Sequence, residues 1–101
     1  MRSIDTFLSK VCDEMERARQ KYPAPNPNTA ALGGEVGEVM EAMNKESFEN
    51  VYAECVQVAV MAMRLAVEGD PFMDAYRGSQ GLDLSSSEAE LSEMLNYRAG
   101  F

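Results

Sequence analysis

At 101 residues the chain is long enough for one domain and too short for two. Hydrophobic residues make up 46% of it, which excludes general disorder, and 17 acidic against 9 basic side chains leave a net charge of −8. Such a surface repels phosphate backbones, so neither nucleic acid nor an anionic membrane is expected as a partner.

From Ile4 to Tyr22 the apolar residues Ile4, Phe7, Leu8, Val11, Cys12, Met15 and Ala18 recur at the three-and-four spacing of one helical face. Ser3 is its expected cap, and Asp5 suits the first turn. Pro23, Pro25 and Pro27 then force a loop. Asn28 or Thr29 is expected to cap a second helix that runs to about Met43, and 44–50 reads as a short polar connection. A third helix is expected over Val51–Glu68, ended by Gly69-Asp70-Pro71. Phe72–Tyr76 reads as one helical turn, Gly78–Leu84 as loop, and Ser85-Ser86-Ser87 as the start of a last short helix through about Tyr97. No strand alternation and no repeat is present. The expectation is one all-α domain over 1–101, a helical bundle with its motifs in about 1–68 and a helical tail in about 70–101. So small a core also favours completion by a partner subunit.

Arg2 and Asp5 break any apolar run at the N-terminus, and Glu54, Gln57 and Arg64 interrupt Val51–Val67. Neither a signal segment nor a membrane span is expected, and the location expected is cytoplasmic. Cys12 and Cys55 fit buried free thiols in a reducing compartment.

The second helix opens on Gly33-Gly34-Glu35-Val36-Gly37-Glu38, although each interior glycine costs a helix about 1 kcal/mol relative to alanine. At about 100° per residue, Leu32, Val36, Val39, Met40 and Met43 share one arc, expected to be the core face. Glu35 and Glu38 stand on its flank, one turn apart, where their carboxylates can converge. The glycines leave a bare strip that a helix or ligand could approach closely. Equally open at this point is a frayed helix start with a solvated glutamate face. The third helix is apolar nearly all round, and its polar residues Glu54, Gln57, Arg64 and Glu68 fall within an arc of about 80°. A narrow polar seam on a buried helix needs internal partners. Charges on other helices could supply them.

Histidine is absent, which removes the usual general base, most zinc sites and the Glu-x-x-His motif of di-iron bundles. Chemistry, if present, falls to carboxylates and a hard metal. Antiparallel packing of the two helices would set Glu35-x-x-Glu38 opposite Glu54-x-x-Gln57. Four oxygen-bearing side chains without nitrogen or thiolate suit Mg²⁺ or Mn²⁺. Three crowded carboxylates without a cation would raise one another's pKa.

Gly34-Glu-Val-Gly-Glu-Val-Met-Glu41 followed by Glu54-Cys-Val-Gln57 resembles the MazG-like nucleotide pyrophosphohydrolases, which belong to the all-α NTP pyrophosphatases. The likeness covers residues 1 to about 68, including Glu16-Arg-Ala-Arg-Gln-Lys-Tyr-Pro23. It implies that Glu35, Glu38 and Glu54 are Mg²⁺ ligands, with Glu35 and Glu38 central to catalysis. It also implies cleavage of a nucleoside triphosphate to monophosphate and pyrophosphate, in a homodimer or homotetramer. Arg17, Arg19, Lys21 and Arg64 are candidates to bind the phosphates, and Phe7, Tyr22, Tyr76 and Tyr97 to stack the base. One departure stands out: the family's fourth ligand is aspartate, and here it is Gln57, a neutral amide that can ligate Mg²⁺ but cannot act as a base. The rival expectation is a non-catalytic helical module that binds nucleotide or protein.

Overall fold

The computed structural model describes residues 2–82 and 88–98, and every element among them is an α-helix: α1 (Ile4–Lys21), α2 (Asn28–Lys45), α3 (Phe48–Glu68), α4 (Pro71–Ser79) and α5 (Glu88–Arg98). The all-α expectation holds. Ser3 caps α1, its Oγ accepting from Thr6 N at 3.3 Å. Ser47 does the same for α3, accepting from Asn50 N, so α3 starts at Phe48 rather than Val51. With α2 running on to Lys45, the expected polar connection shrinks to Glu46 and Ser47. Gly69 ends α3 at φ 73°, and Asp70 Oδ1 accepts from Phe72 N and Met73 N to start α4. That cap and Pro71 at the first helical position carry α4 to Ser79, well past the single turn expected. The serine run 85–87 lies outside the described residues.

α3 is the central rod. α1 runs parallel to it, with Phe7 edge-on to Tyr52 (ring centroids 5.6 Å apart) and Arg19 bonded to Glu68. α2 runs antiparallel along its other flank, Asn28 lying beside Gly69 and Glu35 near Glu54. Among the described residues α3 alone is long and apolar enough to cross a bilayer. Here it is held between α1 and α2 with a buried arginine in its last turns. The apolar core sits between α1 and α3: Val11, Met15, Val56 and Val60 are buried, with Phe7, Ala18, Tyr52, Ala59 and Met63 packed round them. Phe7 is thus core packing rather than a free stacking surface.

Three expectations of burial need correction. On α2, Val36, Met40 and Met43 are 43%, 64% and 66% exposed. The line facing α3 is instead Asn28, Ala31, Leu32, Glu35, Val39 and Ala42, a rotation of about 70° from the apolar arc. Alanines at 31 and 42 allow close approach, whereas the methionines find no neighbour among the described residues to bury them. α3 is not buried all round either, because Ala62, Ala66 and Val67 are exposed. Both cysteines are free, but Cys12 is exposed and Cys55 half-buried, since Cys12 falls off the α1 face that meets α3. A Cβ at Gly33, Gly34 or Gly37 would meet nothing within 4 Å among the described residues, which leave the glycine strip uncovered.

Candidate functional site

The ends of α2 and α3 are tied together by two polar side chains, Asn28 and Asp70, whose pairing across the helices no local pattern indicates. Asn28, 1% exposed, donates from Nδ2 to Gly69 O at 2.8 Å and so caps the end of α3; its Oδ1 accepts from Asn26 at 2.7 Å. In return Asp70 Oδ2 accepts from Thr29 N at 2.8 Å, satisfying the start of α2 from 41 residues away. The expected cap at Asn28 or Thr29 is replaced by this exchange: Pro27 is the N-cap, and it has no side chain to do the work. The Thr29 N–H, with help from those of Met73 and Phe72, holds the Asp70 carboxyl below its usual range. Two helix ends that would each leave backbone groups orphaned satisfy one another, and this sets the register of α2 on α3.

That register brings Glu35, Glu38 and Glu54 together. One carboxylate oxygen from each lies within 4.8 Å of the others. Glu35 and Glu54 are half-buried and Glu38 is exposed. Glu35 Oε2 and Glu54 Oε2 are buried with no hydrogen-bond partner. Burial first, and then the neighbouring Glu38 and Glu54 carboxylates, push Glu35 up to about 7. Burial and Glu38 likewise raise Glu54. Glu35 stands at the middle of the α2 face rather than on its flank, which is why desolvation leads. Hard oxygen donors, mutual repulsion and two unsatisfied buried oxygens form a set that a divalent cation would satisfy.

Beside the cluster, a cavity of about 270 Å³ opens between α1, α2 and α3. Glu35 and Gln57 line it together with Glu14, Arg17, Lys21 and Arg64. Three of the four cations expected to bind the phosphates, Arg17, Lys21 and Arg64, line this cavity with Glu35, but in different states. Arg64 is 1% exposed and committed: Nε donates to Glu68 Oε1 at 2.9 Å, and Nη2 to Tyr22 O at 2.6 Å. Burial pushes the Glu68 carboxyl up, but bonds from Arg19 (2.6 Å) and Arg64 outweigh it and hold the carboxyl low. Arg19 faces Glu16, Cys12 and Met63 on another flank and is not part of the cavity. Arg17 Nε lies 3.0 and 3.1 Å from the two oxygens of Glu14. Lys21 has no ion-pair partner among the described residues; its Nζ lies 5.4 Å from the Tyr22 ring centroid. Gln57 turns its amide nitrogen to Glu14 Oε1 at 3.0 Å. Of the other expected stackers, Tyr22 lines the cavity, Tyr76 is exposed on α4, and the side chain of Tyr97 lies outside the described residues.

Comparison of the chain with family models, with curated proteins and with solved structures finds no match.

Proposed function

We propose that the chain is a Mg²⁺-dependent nucleoside triphosphate pyrophosphohydrolase of the MazG-like kind, releasing a monophosphate and pyrophosphate. The observation that carries this reading is the convergence of Glu35, Glu38 and Glu54 with two buried, unpartnered carboxylate oxygens. These three would hold the ion, and Gln57, which lines the neighbouring cavity with Glu35, carries a neutral oxygen. Once bound, Mg²⁺ (or Mn²⁺) would neutralise phosphate charge and lower the pKa of a water. The protein's own cations do the rest of the binding. Lys21, with no ion-pair partner among the described residues, lines the cavity as a flexible point charge for a phosphate, while Arg17 stands on its wall. Arg64 acts from beneath, fixing Tyr22 and Glu68 and so the shape of the cavity floor.

A homodimer or homotetramer fits the same reading. The exposed Val36, Met40 and Met43 form an apolar stripe on the site's own helix, beside a glycine strip that nothing among the described residues covers. Light scattering on the purified protein tests it, with a monomeric mass counting against it.

The activity test is incubation with each canonical and modified deoxynucleoside triphosphate plus Mg²⁺. Pyrophosphate release is expected, and Glu38→Gln should lower it at least about a hundredfold. No release from any substrate, with a MazG-like control active, would exclude the enzyme. One observation favours a second reading: Gln57 and Arg64 are both engaged inside the chain. A nucleotide-binding module without turnover would show this, and Gln57→Asp would then create activity where the native chain has none.

A further inference from the structure

Glutamine at 57 is explained by what faces it. Its Nε2 donates to Glu14 Oε1 at 3.0 Å, and Glu14 in turn is clasped by Arg17 Nε at 3.0 and 3.1 Å. Hydrogen bonds from Arg17 and then from Gln57 hold the Glu14 carboxyl below its ordinary range. A carboxylate accepts hydrogen bonds and cannot donate them, so the amide has one permitted orientation: NH₂ toward α1, carbonyl Oε1 away from it. Among the described residues that Oε1 accepts no hydrogen bond. Glu14 and Gln57 both line the cavity that Glu35 lines, and Glu14 is half-buried there although it comes from a different helix.

We propose that Glu14 is a positioning residue of the site: it locks the Gln57 amide so that α3 offers a carbonyl oxygen beside Glu35, and its charge is why an amide stands at 57. An acidic side chain of the same length would place two carboxylates 3 Å apart where the structure has a hydrogen bond. With glutamine there, α3 keeps a neutral oxygen in the site and α1 keeps its charge. The inference rests on the metal-site reading above, and its test separates the two.

Four forms of the chain are compared: native, Glu14→Gln, the isosteric Gln57→Glu, and the double variant. Two readouts are used, thermal midpoint at pH 8 in EDTA and Mn²⁺ affinity by calorimetry. Gln57→Glu alone should lower the midpoint, and the double variant, with donor and acceptor exchanged, should restore most of it. Glu14→Gln alone should weaken Mn²⁺ roughly tenfold, because the amide at 57 is then free to flip, and the double variant should bind at least as tightly as the native chain. Additive effects of the two substitutions on the midpoint would overturn the inference. So would native Mn²⁺ affinity in Glu14→Gln, and in that case the metal site itself would stand. A native chain that binds no Mn²⁺ would remove both.

Discussion

α3 has two interfaces, and they are built on opposite terms. Toward α1 it is dry, with Val56 and Val60 locked against Val11 and Met15. Toward α2 it is mixed: Asn28 and Asp70 are buried at one end and Glu35 and Glu54 stand in the middle, while Ala42 and Val51 close the other end as small apolar packing. The first interface stabilises by removing apolar surface from water. The second holds repelling carboxylates half out of water, a cost that the helix-end exchange and the α1 packing must offset. Stability and site are divided between the two faces of one helix.

Substitutions should break this division in graded steps. Val60→Ala, at a fully buried position in the dry interface, should lower stability by about 2–3 kcal/mol, read by urea unfolding. A smaller loss would mean that the α1 interface is not the main support. Asn28→Ala should cost roughly 2 kcal/mol by freeing the end of α3, and should also disturb the α2 register. Asp70→Ala should act in the same direction. Loss of Mn²⁺ binding in either variant, while folded at low temperature, would tie the caps to the site.

The third step uses pH. Between the ordinary value of 4.5 and the folded value of about 7, Glu35 binds more protons in the native state than in the unfolded one. Its contribution is therefore fully present below 4.5 and lost as pH rises through 7. Glu54, also raised, acts in the same sense. The metal-free midpoint should fall as pH is taken from 5 to 8, and Glu35→Gln should flatten that fall. Discounted for screening at a half-exposed group, the gain at pH 8 is about 1 kcal/mol, roughly 4–8 °C. Added Mg²⁺ should remove the slope. Glu14, Glu68 and Asp70 have lowered values, so their stabilisation is lost instead as pH falls below the ordinary carboxylate range. A native chain whose midpoint rises from pH 5 to 8 in EDTA would contradict this account of the polar interface.

The smallest effect belongs to the open strip. Gly37→Ala places a methyl where no described residue lies within 4 Å, so α2 should gain about 0.5–1 kcal/mol in the isolated chain. A loss, accompanied by a lower mass in light scattering, would show instead that the strip is covered by a second copy.

Much of this was legible in the residues. Three-and-four spacing and the proline cluster fixed α1 and its end, because period and the missing N–H are properties of the chain itself. Glu35, Glu38 and Glu54 could be paired because each doublet lies one turn apart on a helix and a short connection imposes antiparallel packing. By pattern alone Ser47-Phe48-Glu49-Asn50 reads as connection, since the serine cap is plain only once the helix is known to start there. The face of α2 is not legible either: Val36, Met40 and Met43 dominate any apolar average, yet the fold leaves them exposed. Asn28 and Asp70 read locally as helix-end residues, but nothing local says that each also caps a helix some forty residues away.

By itself the sequence determined an all-helical domain, its breaks, and which carboxylates stand one turn apart, since all of these depend on interactions within a few residues. Only the tertiary structure decided that Glu35 faces α3 at the centre of the contact, that Arg64 is committed inside the chain, and that Gln57 answers to Glu14. Those outcomes depend on desolvation and on partners brought from other helices, and burial exists only once the helices have packed.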